Sequence, residues 1–180
     1  MNSDIQKTLY SRQAIQKRCQ QLGRYLTGVY SGKKPIVIGV LKGAVVFMTD
    51  LIRHMKIGMQ IDFIDVSSYN GGTKSSGTVK LHKDIDANVR NRNVLFVEDI
   101  IDTGRTLQFL SRLMKHRGAK SIRICTLLDK TDNRMVDVRP DYFGFKVPNE
   151  FVVGYGMDYQ GYYRNLPYVG ILKPSIYSND

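Results

Sequence analysis

The sequence predicts an α/β fold with a central, mostly parallel sheet that is flanked by helices. Three apolar runs of strand length, Ile36–Leu41, 94–97 and 122–128, contain few polar residues. Strands of a parallel sheet are covered on both faces, so they read as nearly continuous apolar runs. Segments with helical periodicity separate these runs, and alternation of strand and helix is typical of a parallel sheet.

The first predicted element is an amphipathic helix. Apolar residues from Ile15 to Val29 recur at spacings of three and four, and Ser11 is a suitable N-cap. The strand Ile36–Leu41 follows, and a helix over 44–55 comes after it.

A second strand is predicted over 61–66. Residues 67–83 are polar and contain three glycines, which indicates a long loop or a loose hairpin. Loops of this length are uncommon in compact domains and are often lids over a site.

The third strand, 94–97, runs into a short acidic turn. A helix that includes Leu107 then stops at Gly118, and the fourth strand occupies 122–128. Two shorter strands are predicted near the C-terminus, at 151–153 and Val169–Leu172.

Length and composition favour a single domain over 1–180. The chain has 180 residues, of which 42% are apolar and 24% charged, as in ordinary globular proteins. No apolar run approaches the roughly 20 residues of a membrane span, and the polar N-terminus shows no secretory signal. Two cysteines and three histidines support neither a disulfide framework nor a histidine metal site. We therefore expect a cytoplasmic protein with no membrane partner.

The net charge of +11 suggests a polyanionic partner. Nucleic acid, an anionic membrane surface and a phosphate-rich small molecule all fit such a charge. The excess is greater in the first half, but no five basic residues are consecutive, so a nucleic-acid-binding arm is not supported.

Three carboxylates follow the third strand within five residues: Glu98, Asp99 and Asp102. If the strand continues, Glu98 and Asp99 point to opposite faces of the sheet. Like charges this close raise one another's pKa and need a cation or hydrogen-bond donors.

The next residues open a helix and can form a phosphate cradle. Free backbone N–H groups at a helix start bind anions, and hydroxyls and a glycine assist. Carboxylates beside such a cradle indicate a site for a phosphorylated sugar. The alternative is that Asp102 or Thr103 is an ordinary N-cap. The cradle consists of Thr103, Gly104, Arg105 and Thr106.

The segment 94–107, VLFVEDIIDTGRTL, resembles the phosphoribosyl-diphosphate (PRPP) signature of type I phosphoribosyltransferases. Its variant is similar to that of the hypoxanthine-guanine phosphoribosyltransferase group, and the resemblance covers roughly residues 5–172. It implies the type I phosphoribosyltransferase fold, with a lid loop at about 67–83. It also implies a small hood, built from about 130–180 together with N-terminal residues. The glycine patterns of P-loop and dinucleotide-binding proteins are absent.

The resemblance implies roles around the ribose and the phosphates. Asp102 would be the catalytic base or proton partner at the purine N7, and Glu98 and Asp99 would fix the ribose hydroxyls. The 5-phosphate would be held by Asp102, Thr103, Gly104, Arg105 and Thr106. The pyrophosphate would be bound by Leu41, Lys42, Gly43 and Arg164, with a cis peptide bond between Leu41 and Lys42.

The resemblance also implies a lid and a purine site. Ser68 and Tyr69 would belong to the lid. Arg134 matches a nearby basic residue whose role stays open. The purine would be bound by Lys130, Phe151, Val152 and Asp158.

The implied reaction belongs to purine salvage. The 5-phosphoribosyl group of PRPP would move to N9 of a 6-oxopurine, hypoxanthine or guanine, giving IMP or GMP and pyrophosphate. Mg²⁺ is the implied cofactor, with Glu98, Asp99 and Asp158 as ligands, because a hard cation suits phosphate and carboxylate oxygens. A homodimer or homotetramer is also implied.

Two alternatives stay open from the sequence. One is a xanthine- or pyrimidine-using phosphoribosyltransferase with the same PRPP cradle. The other is an RNA-binding attenuation regulator of the same fold, an alternative that the net positive charge keeps open. Retention of Asp102 and the mixing of basic with acidic residues oppose the regulator.

Overall fold

The computed structural model describes residues 2–68 and 79–178 and confirms the α/β architecture. No helix in these ranges is long and apolar enough to cross a membrane. A 3-10 turn at Asn2–Asp4 precedes the first strand. The elements that follow are β1 (Ile5–Tyr10), α1 (Arg12–Val29), β2 (Ile36–Leu41), α2 (Ala44–Arg53), β3 (Gln60–Ser68), β4 (Val79–Lys83), β5 (Asn93–Ile101), α3 (Arg105–His116), β6 (Ser121–Asp129), β7 (Tyr142–Lys146), β8 (Val152–Val153), β9 (Val169–Leu172) and α4 (Pro174–Tyr177).

Two sheets organise the described residues. The larger has six strands in the order β4-β3-β2-β5-β6-β7, and only the β3–β4 pair is antiparallel. The smaller sheet has the order β1-β9-β8 and joins the N-terminal strand to two C-terminal strands. Because β2, β5 and β6 run in parallel, their carboxyl ends meet at one edge, where ligands of open α/β sheets bind.

The central strands are buried on both faces, as their apolar runs predict. Alternate residues enter two separate cores: Val37 and Leu95 pack with α1 and α2, whereas Ile38 and Phe96 pack with α3. The helices therefore cover opposite faces of the large sheet. The two helices on the first face approach closely at Gly23, where an added Cβ would lie 2.5 Å from the Cβ of His54.

Helix boundaries follow local capping chemistry. The Ser11 hydroxyl accepts the N–H of Ala14 at 3.2 Å, which confirms the predicted N-cap of α1. Gly118 has a φ of +80° just beyond α3, as expected for a helix stop. The predicted end of α2 is wrong, because the helix ends at Arg53 and the buried Met55 lies beyond it.

The sheet pairing corrects one further expectation and adds detail to two predicted ranges. The acidic turn after 94–97 is part of β5, because Glu98, Ile100 and Ile101 pair with β6. In the segment 67–83, the first two residues end β3 and the last five form β4, which pairs antiparallel with β3, as the hairpin alternative predicts. The predicted hood range 130–180 contains β7, which belongs to the large sheet. The strands β1 and β7 were not predicted, and β4 was predicted only as an arm of the hairpin alternative. All three lie at sheet edges and are short and partly exposed.

Candidate active site

The carboxyl end of β5 carries two acidic residues on opposite faces of the sheet. Phe96 lies on the α3 face and Val97 on the α1 and α2 face. Glu98 lines a cavity with the start of α3, and the Asp99 carboxylate lies against Gly43 at the start of α2. This confirms the predicted opposition, and each carboxylate reaches a different cavity.

The first cavity has a volume of about 310 Å³ and lies over the start of α3. The N-cap of α3 is Gly104, with a φ of +81°, which has no side chain to cap the helix. The N-cap is therefore neither Asp102 nor Thr103, although the Thr103 hydroxyl accepts the N–H of Arg105, the first residue of α3, at 3.4 Å. Free N–H groups at a helix start attract anions. The cavity is lined by Glu98, Ile100, Ile101, Asp102, Thr103, Gly104, Arg105, Thr106 and Leu107.

The second cavity, of about 220 Å³, adjoins the first. Ile100 and Asp102 line both cavities, so Asp102 stands between the phosphate cradle and the second chamber. The second chamber is lined by Asp99, Ile100, Asp102, Lys130, Glu150, Phe151, Val152, Met157 and Asp158. All four residues predicted to bind the purine are thus brought together.

Two carboxylate oxygens in these cavities are buried and have no hydrogen-bond partner in the part of the chain that the structure describes. Oε2 of Glu98 and Oδ1 of Asp102 accept no hydrogen bond from the residues that the structure describes. Buried polar atoms are normally satisfied, and exceptions call for an explanation such as a bound ligand. Burial and the neighbouring Asp99 carboxylate raise the pKa of Glu98. Burial also raises the pKa of Asp99 to about 6.

Lys130 and the aromatic residues form one side of the second cavity. The Lys130 side chain is almost fully buried, and its Nζ donates to the carbonyl of Glu150 at 3.2 Å. The Phe151 ring stacks on Tyr177 of α4, with centroids 5.0 Å apart and planes at 23°. The ring of Tyr159 meets Phe151 edge-on. Sequence reasoning missed Tyr177, because only the fold returns the C-terminus to this cavity.

The loop after β2 lies beside Asp99. The peptide bond between Leu41 and Lys42 is cis, as the family resemblance implies, and Lys42 is exposed. A Cβ added at Gly43 would lie 2.5 Å from Cγ of Asp99, and still closer to its Oδ2. The absence of a side chain at Gly43 therefore lets the loop and the carboxylate meet. Ser68 ends β3, and Tyr69 lies outside the described residues.

Arg164 contacts the segment that lines the second cavity. Its Nη1 donates to the carbonyl of Gly156 at 2.6 Å, and its Nη2 lies 2.7 Å from Oδ1 of Asp158. The other oxygen of Asp158 accepts the N–H of Gly161 at 2.7 Å. The Arg164 charge also lowers the pKa of Asp99, against the larger effect of burial. Arg164 is thus near the site, with its donors directed to the protein.

Arg134 braces the loop between the two cavities. Its Nε donates to the carbonyl of Asp102 at 3.0 Å, its Nη2 pairs with Asp129 at 2.5 Å, and its Nη1 donates to the carbonyl of Val138. Its Cδ would lie 2.9 Å from a Cβ added at Gly104. These contacts give Arg134 a structural role that the sequence left open.

A metal site made of protein groups alone is not present in the described ranges. No group of three or more histidine, cysteine or acidic residues there lies close enough to hold an ion. The expected set of Glu98, Asp99 and Asp158 is therefore divided, with Glu98 on one face of the sheet and the other two on the opposite side.

A buried parallel strand that ends in carboxylates beside a phosphate-type helix start defines a class of sugar-phosphate-binding α/β proteins. The phosphoribosyl transferase domain matches residues 3–160, and the chain belongs to the phosphoribosyltransferase family.

Similar proteins support this membership. A hypoxanthine-guanine phosphoribosyltransferase of Streptococcus mutans is 54% identical over 178 residues, which are 99% of each chain. A crystal structure of a hypoxanthine phosphoribosyltransferase from Staphylococcus aureus has a TM-score of 0.96 and 47% identity, covering 99% of this chain and 97% of that one. A bifunctional protein TilS/HprT of Listeria monocytogenes is 57% identical over 99% of this chain, which spans 28% of that longer protein.

Proposed function

We propose that the protein transfers the 5-phosphoribosyl group of PRPP to N9 of hypoxanthine or guanine in purine salvage. The bond between N9 and ribose C1′ forms, the bond from C1′ to the pyrophosphate oxygen breaks, and the purine loses one proton. The products are IMP or GMP and pyrophosphate. The similarity over whole chains to hypoxanthine-guanine phosphoribosyltransferases supports this assignment.

The single observation that carries the mechanism is the position of Asp102. It lines both cavities, and its buried Oδ1 has no partner among the described residues. A base must lie within reach of the proton that it accepts. With the 5-phosphate at the start of α3 and the purine against Phe151, Asp102 faces the junction of base and sugar and accepts the purine proton.

The remaining residues bind and orient the substrates. The N–H groups and hydroxyls of 103–106 hold the 5-phosphate. Glu98 and Asp99 accept hydrogen bonds from the ribose hydroxyls. The backbone of the Leu41–Gly43 loop, together with Lys42 and Arg164, binds the pyrophosphate. To reach it, the Arg164 guanidinium exchanges its hydrogen bonds to Gly156 and Asp158 for bonds to the pyrophosphate oxygens.

The purine stacks on Phe151 and meets Lys130, whose buried ammonium donates to the 6-oxo group. The backbone of Val152 and the Asp158 side chain contact the purine edge. A keto oxygen beside a buried ammonium favours a 6-oxopurine over a 6-aminopurine, because an amino group has no acceptor to offer the ammonium. Ser68 and Tyr69 belong to the lid that excludes water from the reacting centre.

Mg²⁺ is the proposed cofactor, and the donors present fit it. The carboxylates of Glu98, Asp99 and Asp158 are hard oxygen ligands, and the buried Oε2 of Glu98 accepts no hydrogen bond within the described ranges. Mg²⁺ usually takes one or two protein carboxylates and completes its shell with substrate oxygens and water. Glu98 lies apart from Asp99 and Asp158, and this separation is compatible with an ion that takes only one or two protein carboxylates. When bound, the ion neutralises charge on the diphosphate. We also propose a cytoplasmic homo-oligomer, dimeric or tetrameric.

The proposal is tested by incubating the protein with PRPP, Mg²⁺ and one of hypoxanthine, guanine, xanthine or uracil. We expect IMP and GMP, with the products and released pyrophosphate measured by liquid chromatography. Product from xanthine or uracil alone would replace the assigned base. No product from any base, with tight and salt-sensitive RNA binding, would establish the regulator instead.

A further inference from the structure

A hydrogen-bonded strut joins the turn at 154–158 to helix α2. The Tyr155 hydroxyl donates to Oδ2 of Asp50 on α2, and Nε2 of Gln16 on α1 donates to the same oxygen at 2.8 Å. The Cys19 sulfur lies 3.8 Å from the hydroxyl. Tyr155 is 3% exposed, whereas Asp50 and Gln16 are half-buried, so the hydroxyl meets its partners at the inner side of the two helices.

The turn itself has an unusual backbone. Gly154, Tyr155 and Gly156 have φ values of 95°, 51° and 104°, and a positive φ is rare for a tyrosine. The N–H groups of Tyr155 and Gly156 donate to the carbonyls of Leu166 and Arg164, at 2.8 and 2.9 Å. Those bonds attach the turn to the C-terminal segment that follows it, and they do not attach it to the large sheet.

Besides the apolar cluster that Tyr155 and Met157 share with α2, two contacts among the described residues tie the turn to the segment 43–53. One is the hydroxyl of Tyr155 on Asp50. The other is at Gly156, where an added Cβ would overlap the carbonyl oxygen of Gly43 and lie 3.1 Å from its carbon. Gly43 ends the loop that holds the cis peptide, and Met157 and Asp158 line the second cavity. The turn at 154–158 therefore connects the loop after β2 to the wall of the second cavity, in which the purine is proposed to bind.

We propose that Tyr155 is a positioning residue whose hydroxyl, through Asp50, fixes the purine-binding wall relative to the Leu41–Gly43 loop. This inference rests on the proposed function. Burial and the Asp50 hydrogen bond raise the pKa of Tyr155, so its hydroxyl stays a donor. Without that bond, the turn occupies the binding-competent position in a smaller fraction of molecules. The apparent dissociation constant of the purine then rises in inverse proportion to that fraction.

The test compares Tyr155→Phe, which keeps the ring in the core, with the wild type. We expect the KM for hypoxanthine to rise about tenfold, as for loss of a hydrogen bond to a carboxylate. Bound purine restores the position of the wall, so kcat and the KM for PRPP change by less than about twofold. If Tyr155 had a purely structural role, Tyr155→Phe would lower the thermal stability but would not raise the KM for hypoxanthine relative to the KM for PRPP.

Asp50 supplies a second, independent variant. Asp50→Asn keeps an acceptor oxygen and should retain most of the purine affinity, whereas Asp50→Ala should resemble Tyr155→Phe. The double variant Tyr155→Phe with Asp50→Ala should lose no more than the larger single loss, because both remove one interaction. The matched control is Tyr30→Phe. Tyr30 is a buried tyrosine whose hydroxyl has no partner among the described residues, so its KM values should not change.

Hydrogen exchange separates failure of the strut from failure of the proposed function. In the unliganded protein, the amides of Gly156 and Met157 should exchange about tenfold faster in Tyr155→Phe than in the wild type. A wild type that makes no nucleotide would refute the proposed function, while this exchange arm would still test the strut. An unchanged KM for hypoxanthine, or unchanged amide exchange in a folded variant, would overturn the inference.

Discussion

Gly43→Ala tests the close approach between the loop after β2 and the end of β5. The backbone of Gly43 has a φ of −62° and a ψ of −38°, which alanine adopts without strain. The change therefore adds only the Cβ. That atom would lie 2.5 Å from Cγ of Asp99, whereas carbon atoms in contact are about 3.5 Å apart or more. The Asp99 carboxylate or the loop must retreat by at least about 1 Å, and Oδ2, which lies closer still to the added atom, must move further.

The free-energy cost follows from what that retreat breaks. The Oδ1 of Asp99 accepts the N–H of Ile100 at 2.8 Å, and a shift of this size weakens the bond. Overpacking costs about 1–3 kcal/mol, and a hydrogen bond to a charged group about 1.5–3 kcal/mol. Partial relaxation leaves an expected destabilisation of about 2–3 kcal/mol. For a chain of this size that lowers Tm by roughly 4–12 °C.

The assay combines differential scanning fluorimetry with steady-state kinetics. Gly43→Ala should show the Tm loss together with a KM for PRPP raised by at least about tenfold, because the displaced groups face the diphosphate and the ribose. Gly28→Ala is the matched control. Gly28 is exposed within α1, and a Cβ there meets nothing within 4 Å, so Tm should rise by about 1–3 °C with unchanged kinetics. If the two variants behave alike, the inferred contact with Asp99 is refuted.

Three further predictions concern the acidic and cationic residues of the two cavities. Asp102→Asn should lower kcat by about 10²–10⁴-fold with little change in the KM for PRPP, measured by product formation. Lys130→Met should raise the KM for hypoxanthine at least about tenfold, because a buried charged donor is lost, measured by the same assay at saturating PRPP. For Asp99, the pKa of the folded state is about 6, above the usual 3.8, so protons favour the folded state. Its contribution to the unfolding free energy therefore falls as pH rises from about 4 to about 6. In metal-free buffer, Asp99→Asn should gain Tm relative to the wild type at pH 7.5 but not below pH 4, measured by thermal melts.

The outcomes that contradict these predictions are specific. Near-normal kcat in Asp102→Asn would remove the base from the mechanism, and an unchanged KM in Lys130→Met would remove the lysine from the purine site. The control for the pH series is Asp132→Asn, at an exposed position in the loop after β6. If Asp99→Asn and Asp132→Asn have the same pH dependence of Tm, burial does not shift the Asp99 carboxyl as stated.

The sequence by itself determined the central sheet and the position of its acidic strand end. The strands β2, β5 and β6 can be recognised in the sequence as apolar runs because both faces of each strand are buried. The opposed directions of Glu98 and Asp99 follow from strand periodicity, and the cis bond at Leu41 follows from the family resemblance. The local segment 98–106 could also be recognised because its residues are contiguous.

Only the tertiary structure decided which distant residues share the site. The edge strand β4 alternates polar and apolar residues, and β7 is only five residues long, so their pairing with β3 and β6 is what identifies them as sheet strands. Likewise, Tyr177 lies behind Phe151, and Tyr155 reaches Asp50 across 105 positions of sequence. Such contacts depend on how helices and sheets pack, and the local propensities of the residues do not predict them. The partition of Glu98 and Asp158 between two cavities was decided at the same level, by the sheet that stands between them.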